Sequence, residues 1–225
     1  MTDFVAGAQA ARGLVVVIDV FRAFSVAAYA FAAGARKIIP VGEVADARAL
    51  KALHPDALLI GERHARPLPG FDCGNSPTEL LRLELAGRTL IHTTHSGTQG
   101  LTRASTADEV ITGALVNAAA IVRYIRSRAP RRVTLVRMGH EARENCPEDD
   151  LCADLLARRL RGEPELTDIR NGLRAASSAA KFFDPACDWA PQGDFERCTQ
   201  LDAFDFVLRL ESDQPRPALR RLDVP

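Results

Sequence analysis

The chain is poor in the markers of several common chemistries. Its five cysteines, Cys73, Cys146, Cys152, Cys187 and Cys198, are odd in number, and no two stand as Cys-x-x-Cys. That argues against a disulfide framework and against a thiolate zinc site, and for reduced thiols in a cytoplasmic protein. No excess of either charge exists: Lys+Arg 29 balances Asp+Glu 29. A general nucleic-acid or membrane binder would carry a basic field, so neither partner is expected. The first apolar run, 14–20, is short and already holds Asp19, and no basic stretch precedes it. Neither a signal peptide nor a membrane span is expected. His64, His92, His95 and His140 make no HxxxH or HExxH pattern, and none is read as a metal ligand. Gly-x-Ser-x-Gly, a phosphate-binding P-loop and the dinucleotide fingerprint are missing too. A dehalogenase-type nucleophile motif needs a second Asp two residues after the first, where this chain has Phe21.

What the chain has is an alternation. Apolar, β-branched runs at 14–20, 37–41, 57–61, 88–94, 109–112 and 132–138 read as strands. Between them, 25–33, 44–53, 77–85, 97–103 and 117–127 carry helical spacing, and 148–161 adds another helix. Strands separated by single helices predict a three-layer α/β/α sandwich on a largely parallel or mixed sheet. One domain is expected over 225 residues. Its βα core spans 1–161. A tail, 162–225, carries helices near 168–181 and 194–200 and a late strand at 203–210, read as an edge strand or a covering lobe.

Ligands of open parallel sheets bind beyond the carboxyl ends of the strands. Polar residues collect after four of these strands. Asp19 and Arg22 follow the first, with Ser25 beyond. Glu62, Arg63, Asp72, Asn75 and Ser76 follow the third, in GERHARPLPGFDCGNSP (61–77). Thr94, Ser96, Gly97 and Thr98 follow the fourth. Glu148 and Asp149 follow the sixth. Structural readings compete for several. Ser76-Pro77-Thr78-Glu79 fits a capping box, Ser96-Gly97-Thr98 a turn, and acids behind Pro147 complement a helix dipole. Asp19, at the tip of a central strand, is the strongest functional candidate. Hard carboxylates without thiolate or imidazole suit Mg²⁺, and arginines with helix N-termini suit phosphate. Together they point to phosphoryl chemistry on a small anionic substrate.

The segments VVIDVFRAFS (16–25), GER (61–63), GFDCGNSP (70–77), TTHSGT (93–98), PEDDLCA (147–153) and DFERCTQLDAFDFV (194–207) occur in an order that resembles the 2-phosphosulfolactate phosphatases of coenzyme M biosynthesis, the ComB-like family. The resemblance implies an Mg²⁺-dependent phosphatase with an α/β/α fold. It implies hydrolysis of 2-phosphosulfolactate to sulfolactate and phosphate, or of a related phospho-acid. Asp19, Arg22, Glu62 and Asp72 would be catalytic. Ser25, Arg63, Asn75, Ser76, Thr94, Ser96, Gly97 and Thr98 would hold substrate, and Asp19, Glu62, Glu148 and Asp149 the metal. Two departures stand out: Phe24 replaces a hydroxyl residue, and His95-Ser96 replaces the Asn of an Asn-Gly-Thr turn. The altered turn opens one alternative, an anion-binding regulator on the same scaffold, and a phosphotransferase is a second. A homodimer is expected only because twofold assemblies are common.

Overall fold

The computed structural model describes residues 1–214 and 216–224. Strands are β1 (Thr2–Asp3), β2 (Leu14–Ile18), β3 (Lys37–Pro40), β4 (Leu58–Arg63), β5 (Arg66–Pro67), β6 (Thr89–Thr93), β7 (Glu109–Gly113), β8 (Val133–Arg137), β9 (Phe206–Glu211) and β10 (Ala218–Asp223). Helices are α1 (Phe4–Ala10), α2 (Ala23–Ala32), α3 (Val44–Leu53), α4 (Pro77–Leu80), α5 (Gly97–Arg103), α6 (Ala118–Arg128), α7 (Pro147–Arg161), α8 (Ile169–Arg174) and α9 (Gln192–Cys198). The described strands form one ten-stranded sheet in the order β1-β8-β2-β7-β9-β10-β3-β6-β4-β5.

The alternation of side chains along each strand sets the layers. In β2, Val15 and Val17 point into one apolar layer, while Leu14, Val16 and Ile18 point into another. The shared inner layer holds α1, α2 and α5 against both halves of the sheet. Helix α2 is buried over nearly its whole length, as its sequence AFSVAAYAFA requires: a helix apolar all round has no face for water. Outside, α6, α7 and the tail cover the β2 half, and α3 covers the β3–β6–β4 half. This is the expected three-layer α/β/α sandwich.

The tail strands correct the edge-strand reading. β9 pairs antiparallel with β7, and β10 pairs antiparallel with β9 and with β3. The hairpin therefore lies inside the sheet and joins two parallel blocks, β8-β2-β7 and β3-β6-β4. A late apolar run looks the same whether it ends a sheet or bridges one, because the apolar pattern records burial, not neighbours. Three successive antiparallel steps also make the blocks nominally opposed. Twist offsets that. Roughly 20–25° per strand over the five steps from β2 to β6 turns the second block by on the order of 100–125°. The carboxyl ends of β2 and β6 accordingly meet: a Cβ placed on Gly97 would stand 2.8 Å from Asp19 Oδ2. Helix α4 is shorter than the 77–85 pattern and gives way to turns after Leu80. The tail aromatics split as expected of core cover, with Phe182 buried and Phe183 and Trp189 packed partly buried against the outer layer.

Candidate active site

Asp19 directly follows β2 and is 6% exposed. Its Oδ1 accepts the Ala23 N–H (3.1 Å), the first amide of α2, so it caps that helix while facing the space between the blocks. Asp149, in the first turn of α7, accepts the Val20 N–H on Oδ1 and the Gly139 N–H on Oδ2, both at 2.8 Å. It ties the ends of β2 and β8 to α7. Glu148, beside it, accepts the Ser178 hydroxyl. Glu62, next to last in β4, accepts the Ala65 and His95 amides, each at 2.7 Å. Gly61 precedes it with φ +149°, and a Cβ there would stand 2.0 Å from the Thr93 carbonyl, so the block is closed at this point by a residue without a side chain.

These acids line one cavity of about 360 Å³, of a size for a small ligand. Arg22, Asn75, His95, Ser96, Glu141, Cys146, Ser178 and Lys181 line it with them. Burial comes first in raising Asp19 to about 7, and the nearby Glu62 and Glu148 charges add to it against the Ala23 amide. Asp149 is held well above the carboxylate range by burial, then by Asp19 and Glu148. Lys181 is pushed down by burial and by Arg22, with Glu148 and Asp19 opposing. The Cys146 thiol is pushed far up by burial and the neighbouring acids, which makes it wall, not nucleophile.

The predicted residues divide. Asp19, Arg22, Glu62, Asn75, Ser96, Glu148 and Asp149 line the cavity, and Gly97 abuts Asp19. Asn75 is held by buried His92, whose ring burial drives down to about 3 and so keeps neutral. The others are engaged elsewhere. Asp72 accepts the Leu59 amide (2.7 Å) and faces Lys51. Arg63 donates to the Glu62 and Gly42 carbonyls and to Thr93. Thr94 and Thr98 exchange amide-to-hydroxyl bonds that build the turn into α5. Ser25 donates to the Val20 carbonyl. Ser76 caps α4 through the Glu79 amide and donates to Asp194. Arg22 pairs with Asp194 at 2.6 Å, both side chains buried, and donates to the Trp189 and Ala65 carbonyls.

His95, Glu141 and Cys146 line the cavity without having been assigned from the sequence, as do Lys181 and Ser178, and Asp194 supports it through Arg22. The last three sit in the tail, which folds back over the β2 half. Asp194 opens the DFERCTQ segment, a signal that was visible without its partner. Lys181, within SSAAKFF, carries none.

The predicted donors in the lining are oxygens of Asp19, Glu62, Glu148 and Asp149, and the nitrogens of Arg22 and Lys181 line the same cavity. An oxygen-only set fits a hard divalent cation that keeps several waters and uses one or two carboxylates. The bases fit a phosphorylated anion. The site and fold thus define an α/β/α protein with a polar cavity lined by carboxylates and bases, with His95 and Cys146 also in its wall.

Comparison with known proteins agrees. A family model described as 2-phosphosulpholactate phosphatase matches residues 3–213. A Clostridium perfringens protein is 31% identical over 223 residues, 92% of this chain and 90% of its own length. One from Caldanaerobacter subterraneus subsp. tengcongensis is 40% identical over 159 residues, covering 70% and 64%. One from Bacillus subtilis is 29% identical over 212 residues, covering 93% and 92%. Each carries the name "Probable 2-phosphosulfolactate phosphatase". The chain belongs to the 2-phosphosulpholactate phosphatase family. Among its described residues, no helix is long and apolar enough to cross a membrane.

Proposed function

We propose that this protein is an Mg²⁺-dependent phosphoric monoester hydrolase that converts 2-phosphosulfolactate to sulfolactate and phosphate, the step of coenzyme M biosynthesis that the family resemblance implies. The observation that carries the reading is the gathering of four carboxylates (Asp19, Glu62, Glu148, Asp149) and two bases (Arg22, Lys181) around one cavity. The relatives' shared name supplies the substrate.

Asp19, Asp149 and Glu148 would hold the cation, with Glu62 fixing the turns beside them. Mg²⁺, when bound, offsets charge on the phosphoryl oxygens. Arg22 is braced on three sides by Asp194, Trp189 and Ala65, so its guanidinium is already oriented when an anion arrives. Lys181 brings a second positive charge from the tail. Asn75, fixed by His92, offers a neutral polar group beside the reacting phosphate. Asp19 forms no ion pair with a cationic side chain among the described residues, so its charge is free for the reaction.

The test is phosphate release from small phospho-acids, including 2-phosphosulfolactate and phospholactate, with Mg²⁺ and with chelator. Chelator-sensitive release from 2-phosphosulfolactate is expected. Release from phospholactate alone would move the substrate and keep the chemistry, and no release from any would reject the hydrolase.

A further inference from the structure

A second cluster stands beside the cavity, joined to Glu62 through the His95 amide. His64 lies in the β4–β5 turn, His95 in the β6–α5 turn, and Glu141 in the loop between β8 and α7. One donor atom from each lies within 4.8 Å of the others, and among the described residues this is the trio of metal-ligating side chains that converges so closely. His64 Nδ1 stands 2.6 Å from Glu141 Oε1, and His95 Nδ1 stands 3.9 Å from the same oxygen. The two rings meet edge to face at 4.8 Å. Donors around a tetrahedral zinc-like ion stand ~3.3 Å apart, from metal–ligand distances near 2.0 Å, and the two observed distances bracket that value.

One donor in this trio lacks a partner. His95 Nδ1 is buried and has no hydrogen-bond partner among the described residues. A buried imidazole nitrogen left unpaired is unfavourable unless something occupies it. The backbone N–H of the same residue is taken by Glu62, which fixes where the ring starts. His64 and Glu141 are each in the left-handed region, φ 53° and 51°, an uncommon backbone state for residues with side chains. The three loops come from both parallel blocks, so only the closed sheet assembles the set.

We propose that His64, His95 and Glu141 bind a borderline divalent transition ion of the Zn²⁺ or Co²⁺ kind, distinct from the hard-cation site at the carboxylates. Two imidazoles and one carboxylate are a donor set that such ions prefer and Mg²⁺ does not. Three protein ligands leave a further coordination position. His95 and Glu141 both line the cavity, so that position faces water or an anionic group of the bound ligand. The turn carrying His95 is also where this chain departs from the family's Asn-Gly-Thr pattern.

The test is Co²⁺ titration of the chelator-stripped full-length protein in excess Mg²⁺, followed by ligand-field absorption and by Zn²⁺ competition. One Co²⁺ per chain, displaced by Zn²⁺ and retained in Asp19→Asn, is expected. His64→Gln and His95→Gln should each weaken it by more than ~100-fold, beyond the 10–100-fold typical of losing a partner outside the ligand set. The His64 side chain is 70% exposed, so that variant carries little risk to folding. Absence of the absorption overturns the proposal, as does absorption lost in Asp19→Asn but kept in both histidine variants. The readout is binding, so a protein that releases no phosphate yet holds Co²⁺ through these histidines rejects the hydrolase reading alone.

Discussion

Asp19 and Asp194 are both buried aspartates near Arg22, yet they stand in opposite circumstances. Asp194 is fully compensated: Arg22 at 2.6 Å, the Ser76 hydroxyl at 2.8 Å and the Thr78 amide at 3.0 Å satisfy both oxygens. Asp19 has the Ala23 amide and a face of like charges, and its ionisation moves up to about 7. A buried carboxylate with its partners in place is architecture. One surrounded by other acids is stable only when a proton or an external cation joins it. Arg22 pairs with Asp194 and not with Asp19, its neighbour in the chain, because the tail brings Asp194 onto the guanidinium.

Four experiments sharpen that contrast. The largest effect is expected from Asp19→Asn, which should cut phosphate release by about three orders of magnitude or more, some 4 kcal/mol of barrier, in a protein with an unchanged circular dichroism spectrum. A folded variant with near-native turnover would sink the catalytic role. Next, Asp194→Ala leaves the buried Arg22 guanidinium without its counter-charge. Denaturant unfolding should show a loss of roughly 3–5 kcal/mol. A small loss would mean that Arg22 finds another partner or water.

The third is pH dependence. Asp19 ionises near 3.8 when unfolded and near 7 when folded. Between those values the native state holds the extra proton, so the metal-free protein loses stability as pH rises from about 4 to 7. The cost is on the order of 4 kcal/mol for this group alone. Chemical unfolding of chelator-treated protein at pH 4 and pH 8 measures it, and Asp19→Asn should flatten much of the slope. A wild-type curve that rises over this range would contradict the desolvated state of Asp19. The smallest pair separates wall from scaffold. Lys181→Met should raise KM about tenfold, ~1.4 kcal/mol, by removing one anion contact. Ser76→Ala should cost about 1–2 kcal/mol of stability, as a lost helix cap, and leave kcat near native. A large kcat effect in Ser76→Ala would return Ser76 to the substrate.

The sequence alone determined the strands of the βα core, because β-branched runs such as LVVVI have few alternatives to a doubly covered strand. It also marked Asp19 and Glu62, because a carboxylate that ends an apolar run is conspicuous, and Glu148 and Asp149 as acids in a first helical turn behind Pro147. Only the tertiary structure decided which polar residues remain available. Ser76, Arg63, Thr94, Thr98 and Asp72 look like site residues in the chain, but short-range bonds to caps, carbonyls and amides engage them. Lys181 and Asp194 become part of the site, or of its support, only when the tail returns over the sheet. The placement of β9 and β10 between the two blocks was likewise illegible. Side-chain pattern records which faces are buried, whereas strand neighbours and long-range partners depend on how distant segments pack together.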